Sequence, residues 1–181
     1  LNSDDSWHPE KLAKQIELMD SDPSLGACFT WAELVDDAGQ IITTGPEAQW
    51  SDVFKVDNRS QGEWLKHFFT KGNCICHPSM LIKKDVYKNI GFYNPALKQL
   101  PDFEFWIRLV KQFPIAIVQE SLVYHLRNGE NTSSLSEENT IRNLNELVFI
   151  FQTFFNDIDD EIFVGGFSDL FIKQSNSYSE Q

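Results

Sequence analysis

Leu1-Asn2-Ser3-Asp4-Asp5-Ser6-Trp7-His8-Pro9-Glu10-Lys11-Leu12 is the stretch on which the fold turns. An apolar residue runs into two adjacent carboxylates, then a tryptophan, then a proline that suits the first turn of a helix. Neighbouring carboxylates at a strand end repel each other, so a cation, hydrogen-bond donors or solvent must balance them. Taken alone, Asn2-Ser3-Asp4-Asp5 reads first as a turn or a cap, because these residue types bond readily to nearby backbone. Neither an initiator Met nor a leader precedes Leu1, which leads us to expect a piece of a longer chain cut just before this motif.

Around that stretch the composition is that of a globular domain. The chain has 181 residues, 41% hydrophobic and 13% aromatic, enough for one real core. A net charge of -12 and a pI near 4.6 set up a field that repels polyphosphate, which argues against nucleic acid or an anionic membrane as partner. Leu147-Val148-Phe149-Ile150-Phe151 is the longest apolar run, far below the roughly 20 residues that span a bilayer. Cys28, Cys74 and Cys76 are odd in number and suggest no disulfide framework, so a reducing compartment is expected. The expected place is the cytoplasm, with peripheral association at the inner face of the membrane compatible.

Going outward, Pro9 opens a helix with Leu12, Ile16 and Met19 as its buried stripe, and Pro23 in a polar cluster ends it. Residues 26–35 read as a strand, and Asp36-Asp37-Ala38-Gly39-Gln40 as a hairpin loop returning through Ile41-Ile42-Thr43-Thr44. Residues 45–62 read as a long loop over an opening. A short helix over 63–70 leads to a strand over 73–82 broken by Pro78, and a helix over 83–89 closes at Gly91. Pro101-Asp102-Phe103-Glu104-Phe105-Trp106-Ile107-Arg108 starts a strong helix that buries Phe103, Trp106, Ile107 and Val110 and turns Asp102 outward at its mouth. Residues 115–118 and 122–127 read as two short strands. Residues 136–155 read as an amphipathic helix with Leu144, Leu147, Val148, Phe151, Phe154 and Phe155 on its stripe. A last helix from Asp159 carries Phe163, Phe167, Leu170 and Phe171, with Gly165-Gly166 allowing close approach. Residues 175–181 are expected to fray.

Asp4-Asp5-Ser6-Trp7-His8-Pro9 with Lys11-Leu12, the hairpin, residues 73–82 and Asp102-Phe103-Glu104-Phe105-Trp106-Ile107-Arg108 resemble, in that order, the second half of family-2 inverting glycosyltransferases. The resemblance covers most of the first 135 residues. It implies a D-x-D-type loop that ends a strand, binds Mn²⁺ or Mg²⁺ and holds the diphosphate of a nucleotide sugar. It also implies a later Glu-Asp pair that supplies the catalytic base. Carried over by residue, Asp4 matches the metal-binding third position of the loop and Asn2 its first, which touches the ribose. Asp5 would stand beside the donor diphosphate or ribose. Asp102 matches the Asp of the pair, and Pro101 departs from its Glu. Asn2 departs from Asp and contributes no charge to a metal, so Asp4 carries more of that role.

The implied roles agree chemically. A hydroxyl acceptor is a weak nucleophile, so a carboxylate such as Asp102 must take its proton as the new bond forms. A leaving nucleoside diphosphate develops negative charge that a hard cation stabilises. In the family a Y-R-x-H-type segment precedes Asn and Ser; here Tyr124-His125-Leu126-Arg127 precedes Asn131-Thr132-Ser133. Arg127 stands where the His would be, either holding the diphosphate bidentately or lying on the surface beside Glu130. His77, in His77-Pro78-Ser79, falls on the acceptor side, or is a satisfied structural residue. Trp7 packs under the carboxylate loop or forms an acceptor-facing wall. Cys74-Ile75-Cys76-His77 lacks two further ligands at zinc spacing and reads as buried strand cysteines. The sequons Asn58-Arg59-Ser60 and Asn131-Thr132-Ser133 carry little weight.

The expected architecture is therefore α/β, a partial GT-A, Rossmann-like fold with a mixed sheet, flanking helices and a helical C-terminal tail. Residues 1–135 form the metal- and acceptor-binding part of the catalytic domain and 136–181 the tail. The expected function is metal-assisted, inverting transfer of a sugar from a nucleotide-sugar donor to a carbohydrate or glycolipid acceptor, in polysaccharide or glycoconjugate synthesis. Two other readings stand beside it: a non-catalytic assembly module in which Asn2 and Pro101 mark a decayed site, and a sugar nucleotidyltransferase.

Overall fold

The computed structural model describes residues 5–127 and 136–170. Asn2, Asp4, Glu130, the Asn131-Thr132-Ser133 sequon, Phe171 and residues 175–181 thus lie outside the described residues. The elements in chain order are β1 (Ser6–Trp7), α1 (Lys11–Ser21), β2 (Ala27–Val35), α2 (Gln61–Lys71), β3 (Leu81–Ile82), α3 (Lys84–Ile90), α4 (Pro101–Gln112), β4 (Ile115–Leu126), α5 (Glu137–Gln152) and α6 (Asp160–Phe167). The sheet runs β1-β4-β2-β3, with β2 and β4 parallel and the two flanking pairs antiparallel. It is a mixed sheet with flanking helices, an α/β fold compatible with a partial Rossmann-like glycosyltransferase domain.

The parallel pair sets the frame. Ala27 faces Ile115 at one end and Val35 faces Leu126 at the other, with register shifts around Trp31. Thr30 pairs with Val118 and Ala32 with Val123, so β4 holds extra residues that bulge out between them. Those residues include the polar Gln119 and Glu120, which made 115–118 and 122–127 look like two strands; the structure corrects this to one bulged strand. Asn58 covers the open edge of β4, accepting from Ile117 N at 2.7 Å and donating to Ile117 O at 2.9 Å.

The helices over 61–71, 84–90 and 101–112 form where local signals place them. Ser60 and Glu63 close a capping box on α2, and Gly72 and Gly91 leave α2 and α3 with φ of 85° and 77°. α4 begins at Pro101 and buries Phe103, Phe105, Trp106, Ile107, Leu109 and Val110. Phe29 of β2 meets Trp106 edge-on at 4.9 Å between centroids, joining sheet and helix layers in the main core.

Two helices turn a different face inward than their apolar spacing suggests. α1 buries Lys11, Gln15 and Met19, whereas Leu12 and Ile16 are 43% and 50% exposed. The reason is backbone chemistry. Gln15 Nε2 donates to Cys28 O at 3.0 Å and Ser79 O at 2.9 Å, and Lys11 Nζ donates to Gln15 Oε1 at 2.7 Å. A leucine there would leave two buried carbonyls without these donors. α5 likewise buries Glu146 and Ile150. Leu147, Phe151 and Phe154 of the expected stripe do pack on the core, but Leu144, Val148 and Phe155 are exposed. On α6, Phe163 and Phe167 pack inward and Leu170 is exposed.

Two expected strands are also corrected. The loop after β2 forms, with Asp36 Oδ1 accepting from Ala38 N and Gln40 N, but its return is a single bridge from Val35 to Ile41. Residues 73–82 hold a 3₁₀ turn at His77–Ser79 and only the short β3, because Pro78 cannot donate to a ladder.

The tail docks on the rest of the molecule: Ile150, Phe154 and Phe167 share the core with Trp64, Phe68 and Phe103. α2 and α6 cross at Gly62 and Gly166, where a Cβ on either would collide with the other's backbone. Gly165 faces open space. Gly166→Ala should therefore lower stability in urea unfolding by about 1–3 kcal/mol. Gly165→Ala should be neutral or stabilising by up to about 1 kcal/mol, from helix propensity alone.

Candidate functional site

β1 is two residues long, yet its pairing decides where Asp5 goes. Ser6 lies opposite Tyr124 and Trp7 opposite Val123, which sets Asp5 beside the end of β4. Asp5 Oδ1 is 2.7 Å from His125 Nδ1 and accepts from Leu126 N at 3.2 Å. Its carboxyl group is fully buried. A buried carboxylate needs such donors, because its desolvation is otherwise uncompensated.

Asp102 is the second candidate carboxylate. It sits in the first turn of α4, half-buried, with Oδ1 accepting from Phe103 N at 2.8 Å and Oδ2 from Asn73 Nδ2 at 3.2 Å. Burial pushes its carboxyl above the ordinary carboxylate range, against the opposite pull of Phe103 N, His77 and Asn73. Cys76 and His77 feel the fields of both carboxylates. Burial and the fields of Asp5 and Asp102 all push the Cys76 thiol up. Burial holds His77 below its ordinary value, while Asp102 and Asp5 pull it the other way. Both acidic groups therefore act on the same two side chains.

His77 Nε2 is 3.0 Å from Tyr93 Oη, and its ring lies 6.0 Å from that of Trp106. Trp106 is fully buried and belongs to the core. Trp7 packs: its Nε1 donates to Pro78 O at 3.1 Å, and Lys11 Nζ sits 4.0 Å from its ring centroid. Burial brings the Lys11 amine down to about 8. Arg127 is drawn to the loop over 45–62, with Nε and Nη2 both 3.2 Å from Glu47 Oε2. Phe54 of that loop meets His125 edge-on at 6.2 Å, so the loop lies over the β4 end of the site.

The three cysteines are buried and free. Burial raises the thiols of Cys28 to about 11 and Cys74 to about 12. They behave as small core groups, although Cys74 and Cys76 lie in irregular chain and not in a strand. Among the described residues no group of three His, Cys, Asp or Glu side chains could hold a metal ion. No helix among them is long and apolar enough to cross a membrane.

Asp5 and Asp102 thus both influence His77, and Arg127 is set against Glu47, while Asn2 and Asp4 lie outside the described residues. Three further groups join these residues. His125 is the partner of Asp5, Asn73 of Asp102 and Tyr93 of His77. Only His125 had a signal, its place in the segment resembling Y-R-x-H; the others depend on contacts across 16 to 29 residues.

The chain is similar to an uncharacterized glycosyltransferase of Methanocaldococcus jannaschii, 29% identical over 133 residues, which are 72% of this chain and 42% of that protein. It is also similar to an uncharacterized glycosyltransferase of Haemophilus influenzae, 25% identical over 130 residues, 68% of this chain and 40% of that protein. The matched part is thus about two fifths of the length of each relative. No family model matches the chain.

The raised carboxyl of Asp102 has a consequence for stability. The folded state keeps its proton to higher pH than the unfolded state, so the group's contribution is fully present below the unfolded value and is lost as pH rises through the folded one. In urea unfolding across a pH series, wild type should lose stability relative to Asp102→Asn as pH rises from about 4 toward neutral.

Proposed function

We propose that the chain is the metal- and acceptor-side portion of an inverting glycosyltransferase. It would move a sugar from a nucleoside-diphosphate donor to the hydroxyl of a carbohydrate or glycolipid, in polysaccharide or glycoconjugate synthesis. The carrying observation is that two carboxylates, Asp5 held by His125 and Asp102 in the first turn of α4, both act on Cys76 and His77. The names of the two relatives support glycosyl transfer in general.

In this reading Asp102 is the base. A carboxyl group raised by burial is a better match to a hydroxyl proton than an ordinary one, because transfer is easier as the proton affinities approach each other. Asn73 and Phe103 N hold its two oxygens in place. His77, fixed by Tyr93, lines the acceptor side, and Trp7 supports the His77–Ser79 turn from below. Inversion needs a single displacement, for which one base and one stabilised leaving group suffice.

The donor side rests on Asn2 for the ribose, on Asp5 and Arg127 for the diphosphate, and on Asp4 for a metal. The ligand chemistry fits a hard cation: Asp4 offers oxygen, while burial keeps the soft Cys76 thiol protonated. Mg²⁺ or Mn²⁺ held by Asp4 would supply Lewis-acid stabilisation of the leaving diphosphate. Arg127 is tied to Glu47, and the donor diphosphate would take the place of that carboxylate.

Pro101, where the resemblance has a carboxylate, favours a second reading as a non-catalytic binding module. The two separate on one experiment. Nucleoside diphosphate release from a panel of uridine, guanosine and thymidine diphosphate sugars is followed for the intact protein and for Asp102→Asn. Turnover should fall by about 10²–10⁴-fold while donor binding stays nearly unchanged. Unchanged turnover in the variant would remove Asp102 as base. Absence of both turnover and metal-dependent protection by nucleoside diphosphate in the wild type would favour the module.

A further inference from the structure

Three consecutive backbone N–H groups just before α4 converge on one carboxylate. Lys98 N donates to Glu146 Oε1, and Gln99 N and Leu100 N donate to Glu146 Oε2, each at 2.9 Å. Glu146 comes from the middle of α5 and is 7% exposed. Leu100 is the N-cap residue of α4, and its carbonyl accepts Glu104 N at 3.1 Å. Asp102 follows two residues later. Gln99 Nε2 adds a second tie to α5 through Asn139 Oδ1 at 3.0 Å.

An acidic residue in the buried stripe of a docked helix has no packing reason to be there. Its charge is expensive to bury and stays only where donors compensate it. Successive N–H groups that point one way form an anion-binding concavity, here filled by the protein's own carboxylate. Leu100 has no side-chain oxygen to cap α4, so the position of the helix start is set from outside.

We propose that Glu146 is a positioning residue for Asp102: it fixes residues 98–100 and so the first turn of α4 that aims the base at the acceptor. The inference rests on the glycosyltransferase reading for the word base, and on the hydrogen bonds for the rest. It makes the tail helix a working part of the site. Glu146 touches no reacting atom; it acts through the backbone that carries Asp102.

The test uses the intact protein with Glu146→Gln, which keeps the volume and removes one of the two acceptor oxygens. Three readouts are compared with wild type: amide exchange at residues 98–100, the titration of the Asp102 side-chain carbon by NMR, and nucleoside diphosphate release from the sugar-nucleotide panel. Exchange at 98–100 should quicken by about tenfold or more. The Asp102 titration should move toward the ordinary carboxylate range, because a loosened helix start admits water. Turnover should fall by about 10–100-fold with KM for the donor within about twofold. Faster exchange with an unmoved Asp102 titration would leave Glu146 a merely structural residue and overturn the proposal. If Glu146→Gln does not fold, Glu146→Asp keeps the charge and shortens the reach to Lys98, Gln99 and Leu100 N. A displaced Asp102 titration there supports the proposal and an unmoved one overturns it. Turnover retained in Asp102→Asn would sink the base assignment instead, while leaving the NMR result to decide whether Glu146 positions Asp102.

Discussion

The parallel pairing of β2 with β4 is the constraint on which the rest of the molecule depends. A parallel pair needs a long crossover, and here that crossover contains α2, β3, α3 and α4. Because β4 lies beside β2, its far edge is free to take β1, and that pairing sets Asp5 against His125. The helix that leads into β4 is α4, packed through Trp106 on Phe29 of β2. Its start carries Asp102, whose field also reaches Cys76 and His77. One ladder therefore places both ends of the proposed site.

A second theme is the use of polar residues in buried helix faces. Gln15 on α1 and Glu146 on α5 stand where apolar side chains would ordinarily pack, and each meets two or three backbone groups. Gln15 donates to carbonyls of β2 and of the His77–Ser79 turn, while Glu146 accepts from the segment before α4. A buried unpaired backbone group costs about 1–3 kcal/mol, comparable with burying a leucine, so the balance favours the polar residue when two or three such groups are served at once. The same two helices consequently expose Leu12, Ile16, Leu144 and Val148.

The proposed chemistry follows from unequal environments. Asp5 is buried beside a histidine and a backbone donor, which suits a fixed group on the donor side. Asp102 is held by Asn73 and Phe103 N and is pushed up by burial, which suits a group that takes and returns a proton. Two acids with different surroundings can divide the work of a transfer reaction, one ordering the donor side and the other handling the acceptor proton.

The helices, with their starts and ends, and the aromatic face of α4 were readable in the amino-acid sequence, because each rests on contacts within a few residues. Pro101 and the spacing of Phe103, Trp106 and Val110 give α4 without reference to anything else, and Gly72 and Gly91 mark where helices stop. The candidate acids were also readable, from their place in motifs that resemble a known family. What could not be read was which face of α1 and α5 turns inward, that β4 is one strand, and what holds Asp5, His77 and Asp102. Those outcomes depend on partners far away in the chain: Asp5 and His125 are 120 residues apart, and Glu146 and Leu100 are 46 apart. A hydrophobic pattern records only how apolar each position is, whereas the buried backbone groups that Gln15 and Glu146 satisfy become visible when the chain is folded around them.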